Sequence, residues 1–113
     1  MEFKKKYSFH ERTLKSFNLL KKYPKRIPII CHNKDKNLPT FKKTRFLVPR
    51  TYLMVEFLYM LRKNINLPRE MSMYLFINDN ILPTSTTMSK AYQDYKDRDG
   101  FLYVKCFGEN TFG

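Results

Sequence analysis

Residues 51–65 have the sequence TYLMVEFLYMLRKNI, in which apolar side chains recur with the period of an α-helix. The apolar stripe consists of Met54, Phe57, Leu58, Leu61 and Ile65. Positions three and four apart lie on one helix face, so the pattern predicts an amphipathic helix that buries this stripe in a core. Thr51 can cap the first turn, and Pro68 stops the helix from continuing far beyond the stripe.

Two pairs of predicted strands flank this helix. Residues 26–32 and 43–49 precede it, and residues 73–77 and 101–107 follow it. One long helix between two pairs of strands predicts the α+β class and favours a ubiquitin-like β-grasp. Ferredoxin-like folds and other α+β sandwiches are the alternatives.

Two further features complete the predicted core. Pro28 lies inside the first strand, and because proline has no N–H to donate, the strand is predicted to be exposed on one side at that point. A short helix is predicted to start at Thr86 or Thr87 and to end near Tyr95, before the last strand.

The N-terminal segment is predicted to be helical. Ser8 and Glu11 form the Ser-x-x-Glu pattern of a capping box, which predicts a helix that ends before Pro24. Residues 2–6 form a second short helix or an arm ahead of it. The longer helix carries apolar side chains and a basic face, which are Leu14, Phe17, Leu19 and Leu20, and Lys15, Lys21 and Lys22.

Charge is distributed very unevenly in this chain of 113 residues. It holds 22 Lys and Arg against 10 Asp and Glu, for a net charge of +12. The whole excess lies in residues 1–50, because residues 51–113 contain equal numbers of basic and acidic side chains. This pattern predicts a surface that faces an anionic membrane or acidic proteins, with solubility alone as the alternative. Nucleic acid is not expected as a partner, since no nucleic-acid-binding motif is present.

Several functional classes do not fit the sequence. No stretch reaches the roughly 20 apolar residues of a membrane-spanning helix. Cys31 and Cys106 are too few for a disulfide framework and are expected to be buried thiols in a reducing compartment. Cys31 and His32 are neighbours on a predicted strand and therefore point to opposite faces, which argues against a catalytic dyad. We therefore expect no enzyme activity, no metal and no cofactor.

Six short runs, in order along the chain from about Ser8 to Gly113, resemble the ubiquitin-like autophagy modifier family. That family includes the GABA-type-A receptor-associated protein and the microtubule-associated protein light chains. The runs are KKYPKRIPII at 21–30, FLVP at 46–49, LRKNI at 61–65, LPTS at 82–85, DGFLY at 99–103 and GENTFG at 108–113.

The resemblance implies a β-grasp with two additional N-terminal helices. The implied parts are an N-terminal helical extension over residues 1–25, a core over residues 26–107 and a flexible tail over residues 108–113. It also implies that an activating and a conjugating enzyme join Gly113 to the amine of phosphatidylethanolamine, so that the protein is their substrate. The implied protein is a monomer in solution. It is cytoplasmic when free, and on autophagosomal or vacuolar/lysosomal membrane when lipidated.

The resemblance further implies that receptor and adaptor peptides with an aromatic-x-x-aliphatic motif pair with residues 45–48. The residues that match the first pocket, which takes the aromatic side chain, are Leu19, Pro28, Ile30, Arg45, Leu47 and Phe101. Those that match the second pocket, for the aliphatic side chain, are Phe46, Val48, Pro49, Tyr52, Phe57, Met60 and Leu61. A separate surface for helical ligands would fall at Tyr74, Leu75, Phe76 and Ile77.

Some positions depart from the family pattern. Lys15 stands where many members have an acidic residue, which favours peptides with more acid around the aromatic side chain. Tyr52 and Val55 are expected to reshape or narrow the second pocket. Asn64 replaces a usual arginine, and Cys106 a usual aromatic residue. The alternatives are an unconjugated basic β-grasp module that binds peptides, microtubules or nucleic acid, and a family member that serves a non-autophagic organelle.

Overall fold

The computed structural model describes residues 2–110, with the side chain of Asn110 left out. Within this range the chain forms four helices and four strands. In chain order they are α1 (Glu2–Lys6), α2 (Phe9–Lys22), β1 (Arg26–Asn33), β2 (Arg45–Pro49), α3 (Met54–Ile65), β3 (Met71–Phe76), α4 (Met88–Tyr95) and β4 (Leu102–Asn110). The predicted α+β class is confirmed, as is the pair of helices ahead of the core.

The four strands form one mixed sheet in the order β2-β1-β4-β3. The two central strands, β1 and β4, are parallel, and each pairs with an antiparallel edge strand. Helix α3 buries Phe57, Leu61 and Ile65 in the same apolar cluster as Ile29 of β1 and Val104 of β4. Burial of this stripe stabilises the fold, because a buried large side chain contributes about 1.5–3 kcal/mol.

Pro28 occupies a place in the sheet where its missing N–H costs little. It pairs with Leu47 of β2, whereas the ladder between β1 and β4 begins only at Ile29. Strand β1 therefore lacks a neighbour on one side at Pro28, as predicted.

Helix α3 begins later than the sequence predicts, so the prediction that Thr51 caps it is wrong. The N-cap is Leu53, whose backbone N–H donates to Glu56 Oε1 at 2.9 Å. Backbone bonds to the segment before α4 keep the chain extended up to this residue: Met54 N–H donates to Thr86 O at 2.8 Å, and Met88 N–H to Tyr52 O at 2.7 Å. These distant partners prevent a helical turn from starting at Thr51.

The other predicted caps are confirmed. Ser8 Oγ accepts from Glu11 N–H at 3.1 Å, and Glu11 Oε1 accepts from Ser8 N–H at 2.9 Å. The bond from the Ser8 backbone N–H favours the ionised carboxylate and lowers the pKa of Glu11. Thr87, rather than Thr86, caps α4 by accepting from Lys90 N–H at 3.1 Å.

Strand β4 is longer than predicted. It pairs with β3 through Asn110, opposite Met71, instead of ending at Phe107. Residues 108–110 are therefore part of the sheet and not of a tail, and the predicted boundary at residue 107 falls inside a strand. Residues 111–113 lie outside the described range.

Helix α2 packs only in part as its apolar side chains predict, since Leu19 and Leu20 are partly buried against the core clusters. Leu14 and Phe17 are exposed, whereas the buried side chains of the helix are Arg12 and Ser16. The reason is the partner of the helix: α2 rests on the polar loop before β4, where Asp99 is buried. An apolar side chain facing this loop would leave its polar groups unpaired.

Asp99 is the centre of this buried contact. Its carboxylate lies 3.2 Å from Arg12 Nε, accepts from Phe101 N–H at 2.9 Å and accepts from the Tyr103 hydroxyl. Its backbone carbonyl accepts from the Ser16 hydroxyl. Burial and the bond to Asp99 both raise the pKa of Tyr103, which keeps its phenol protonated as a donor.

Cys31 and Cys106 lie buried in the neighbouring strands β1 and β4, as expected. Burial raises the pKa of the Cys31 thiol well above its usual value, which keeps it protonated and unreactive. Among residues 2–110, no helix has both the length and the apolar character needed to cross a bilayer.

Replacing Asp99 by Ala is expected to destabilise the protein by about 3–5 kcal/mol, because it leaves the Arg12 guanidinium buried without its counter-charge. Urea unfolding followed by circular dichroism measures this loss. The matched control is Asp94→Ala, which removes an exposed carboxylate that pairs with Lys90 at 3.3 Å and is expected to cost less than about 1 kcal/mol. Equal losses in the two variants would contradict the role of Asp99.

Candidate functional site

A cavity of about 570 Å³ lies between helix α2 and the edge strand β2. We call it the α2–β2 cavity. Its walls combine apolar side chains with a basic rim. The apolar residues are Phe3, Leu19, Ile29, Phe46, Leu47 and Phe101, and the polar ones are Lys15, Asn18, Lys22, Lys43 and Arg45. A concave apolar surface with a few polar groups at its edge is the usual form of a ligand site.

The α2–β2 cavity contains four of the six residues predicted for the first pocket. These are Leu19, Arg45, Leu47 and Phe101. The other two, Pro28 and Ile30, are buried and do not line the cavity. Ile30 packs beneath it, in a small cluster with Phe3 and Phe101. Ile30 therefore supports the floor of the cavity but does not reach the cavity surface.

Helix α1 forms one wall of the α2–β2 cavity through Phe3. The Phe3 ring is buried and meets the Phe101 ring edge-on, with 5.1 Å between centroids. Lys4 holds the helix in place by pairing with Asp97 at 2.9 Å. Phe3 was not among the predicted site residues; the signal that could have indicated it is a single aromatic residue in an otherwise charged segment.

Four cations surround the mouth of the α2–β2 cavity: Lys15 and Lys22 from α2, and Lys43 and Arg45 from β2 and the loop before it. Within the described part of the chain, no carboxylate joins them in the cavity lining. The guanidinium of Arg45 donates to the hydroxyl of Tyr7 at 3.3 Å, and this bond lowers the pKa of Tyr7. Such a rim attracts anionic groups.

Strand β2 exposes a free backbone edge beside this cavity. Two backbone hydrogen bonds fix its register with β1. Cys31 N–H donates to Thr44 O at 2.7 Å, and Arg50 N–H donates to Lys25 O at 3.0 Å. In an antiparallel pair this register turns the N–H and C=O groups of Arg45 and Leu47 away from β1. The guanidinium of Arg26 donates to Leu47 O at 3.1 Å, so one group of this edge already has a partner.

The residues predicted for the second pocket are divided between the core and the surface. Four of its seven predicted residues are buried in the core, namely Phe46, Val48, Phe57 and Leu61. Phe46 packs edge-on against Phe57 at 6.1 Å and also lines the α2–β2 cavity. The remaining three, Pro49, Tyr52 and Met60, are partly exposed. Tyr52 and Met60 line a shallower depression of about 340 Å³, together with Glu56, Tyr59 and Lys63.

Only two of the four side chains predicted to form a surface for helical ligands reach the protein surface. Along β3 the side chains alternate, so that Leu75 and the following Ile77 are buried, whereas Tyr74 is exposed and Phe76 partly so. Phe76 meets Phe107 of β4 edge-on at 5.1 Å.

Gly113, the predicted attachment residue, lies outside the described residues. The C-terminal part of β4 that precedes it contacts Asp35 in the loop after β1, which accepts from Gly108 N–H at 2.8 Å and from Asn37 N–H at 2.9 Å. These two hydrogen bonds lower the pKa of Asp35 below its usual value of 3.8. The side chain therefore ties the β1–β2 loop to the C-terminal part of β4.

This contact is expected to weaken in acid. Because the folded-state pKa of Asp35 is lowered, its contribution to stability is present above pH 3.8 and is lost as the pH falls through the lower folded-state value. The amide signal of Gly108 in nuclear magnetic resonance spectra should titrate with a midpoint below 3.8. Asp35→Asn should abolish the titration, and a Gly108 signal that still titrates in this variant would contradict the assignment.

The fold itself defines a class of protein. A mixed sheet of order β2-β1-β4-β3 with α3 packed on it is a ubiquitin-like fold, and here two helices precede it. A family model described as "Autophagy protein Atg8 ubiquitin like" matches residues 11–113. The chain belongs to the Atg8 family, and is thus a ubiquitin-like autophagy protein.

Similar proteins agree in sequence and in structure. Autophagy-related protein 8 of Candida glabrata is 44% identical over 98% of this chain and 95% of its own length. That of Saccharomyces cerevisiae is 43% identical over 98% and 96%. The crystal structure of Trypanosoma brucei ATG8 superposes with a TM-score of 0.91 at 35% identity, covering 100% of this chain and 98% of that one. Plasmodium falciparum Atg8, solved with an Atg3 peptide, gives 0.86 at 36% identity over 93% and 94%.

Proposed function

We propose that the protein is a ubiquitin-like modifier conjugated through Gly113 to phosphatidylethanolamine on autophagic membranes. There it recruits receptors and adaptors that carry aromatic-x-x-aliphatic motifs. The observation that carries the recruiting role is the α2–β2 cavity lying beside the free edge of β2. The solved complex of the similar Plasmodium falciparum protein with an Atg3 peptide supports a peptide-binding surface on this fold.

The peptide would bind as an additional strand. Its backbone pairs with the outward N–H and C=O groups of Arg45 and Leu47, which places an aromatic side chain over the apolar floor of the α2–β2 cavity. The guanidinium of Arg26 must then leave Leu47 O, because a peptide N–H takes its place. Acidic residues of the peptide beside the aromatic residue face the rim formed by Lys15, Lys22 and Lys43.

The aliphatic side chain of the motif would meet a shallower surface. The floor of the second pocket is closed by Phe46 and Phe57, which pack against each other, and its mouth is formed by Tyr52 and Met60. We therefore expect the aromatic position and its acidic neighbours to supply most of the affinity.

Conjugation forms an amide between the carboxylate of Gly113 and the lipid amine, with loss of one water. An activating and a conjugating enzyme carry out this reaction, and the protein is their substrate. Glycine suits this position because it has no Cβ and leaves its carbonyl open to attack. A lipid with two acyl chains gives stable attachment, whereas one chain gives only marginal binding. The free protein would be cytoplasmic, and the lipidated form would lie on autophagosomal or vacuolar/lysosomal membrane.

Reconstitution tests the attachment. With purified activating and conjugating enzymes, ATP and phosphatidylethanolamine liposomes, intact mass should rise by the lipid minus one water. Gly113→Ala is expected to remove the adduct, whereas Asp94→Ala, an exposed change on α4, should leave it. An adduct that persists in Gly113→Ala would show that this glycine is not the attachment residue.

Peptide titration tests the basic rim. Lys15→Glu is expected to weaken binding of an aromatic-x-x-aliphatic peptide with acidic flanks by about thirtyfold at low salt, since it replaces an attraction of about 1 kcal/mol by a repulsion of similar size. Binding of the same peptide with uncharged flanks should change little, and the difference should shrink at high salt. Lys90→Glu on α4 is the matched control. Equal losses for both peptides would contradict an electrostatic role for Lys15.

A further inference from the structure

Helix α2 exposes an apolar face that neither the core nor the α2–β2 cavity uses. Phe9, Leu14 and Phe17 are 52%, 48% and 60% exposed. At 100° per residue these three lie within a 140° arc of the helix, with Phe17 between the other two. We call them the α2 stripe. Exposed large apolar side chains that cluster in this way mark interaction surfaces more often than isolated ones do.

The α2 stripe and the α2–β2 cavity lie on different sides of the same helix. Leu19 and Lys15, which line the cavity, are about 160° around the helix from Phe17. Arg12 and Ser16 face the buried loop between these two sides. A partner on the stripe therefore leaves the cavity open.

The charge on this face is basic. Lys21 lies within the arc of the α2 stripe and is exposed. The single acidic residue of α2 is Glu11, which lies outside the arc and whose carboxylate accepts from Ser8 N–H in the helix cap. Lys25 and Arg26 follow shortly after the helix. The face thus combines Phe and Leu with a lysine.

A second copy of this chain does not fit the α2 stripe. Its three half-exposed side chains offer on the order of 300 Å², whereas a stable dimer buries about 800 Å² on each partner. Two such faces would also bring like charges together. A helix face is convex, and a fluid lipid interface needs no matching groove, so that Phe and Leu can enter the acyl boundary while Lys21 meets anionic headgroups.

We infer that the α2 stripe inserts into the surface of an anionic membrane. This contact does not depend on Gly113 and therefore acts in the unconjugated protein. In the conjugated protein it adds a second point of attachment, with the α2–β2 cavity turned away from the lipid.

Flotation of the unconjugated full chain tests the inference, with no conjugating enzymes present. Vesicles of phosphatidylcholine with an equal amount of phosphatidylserine should carry the protein, and vesicles of phosphatidylcholine alone should carry much less. Leu14→Ser and Phe17→Ser should each lower the partition coefficient on the order of fivefold to tenfold, since about half of each side chain is available for burial. The matched control is Tyr59→Ser on α3, because Tyr59 is 61% exposed and lies outside the stripe.

Fluorescence locates the contact independently. The chain contains no Trp, so Phe17→Trp provides a single reporter, and Tyr59→Trp provides its control. Anionic vesicles should shift the emission of Phe17→Trp to shorter wavelength and leave that of Tyr59→Trp unchanged. The inference is overturned if the protein does not float, if Tyr59→Ser loses as much binding as Phe17→Ser, or if sedimentation shows a dimer that Phe17→Ser dissolves. Failure of lipid conjugation in the reconstituted system would leave these results unaffected.

Discussion

The buried ion pair between Arg12 and Asp99 holds helix α2 on the sheet. Because Leu14 and Phe17 point outward, α2 has no continuous apolar face toward the core, and polar contacts must replace it. Asp99 joins the helix, the loop before β4 and Tyr103 in one network. Gly100 makes this close approach possible: its φ is +92°, and a Cβ there would overlap the side chain of Ser16. Since α2 forms a wall of the α2–β2 cavity, the cavity depends on this network.

The core could be predicted from the sequence because its signals are local and repetitive. The stripe from Met54 to Ile65 recurs at the helical period, and the strands carry β-branched and aromatic side chains throughout. Helix α2 could not be predicted in the same way. The burial of Arg12 and Ser16 is decided by Asp99, which is distant in sequence, so the amphipathic pattern was wrong for Leu14 and Phe17, although Leu19 and Leu20 do pack against the core clusters. The predicted start of α3 was wrong for a similar reason, since the backbone partners of Tyr52 and Met54 are Met88 at the start of α4 and Thr86 just before it.

The candidate site likewise could be predicted only in part. Leu19, Arg45, Leu47 and Phe101 line one cavity, which resemblance to a family could anticipate. Resemblance does not distinguish a side chain at a cavity surface from one beneath it, and Ile30 and Phe57 are beneath. Phe3 escaped prediction because residues 2–6 carry too little periodicity to show which of their side chains is buried. The basic rim, by contrast, follows directly from the excess of Lys and Arg in residues 1–50.

The pairing of β4 with β3 through Asn110 limits the distance between the sheet and an attached lipid. Gly113 is three positions beyond this pair, and in any conformation a chain of three such steps spans at most about 10 Å. The covalent linker to a headgroup would thus be short and would hold the end of the sheet close to the bilayer. The opposite end of β4, about 26 Å away at roughly 3.3 Å per residue, adjoins helix α2. A molecule that contacts lipid at both ends of β4 would lie with its strands along the membrane plane. The two contacts would restrict its orientation as well as its distance from the bilayer.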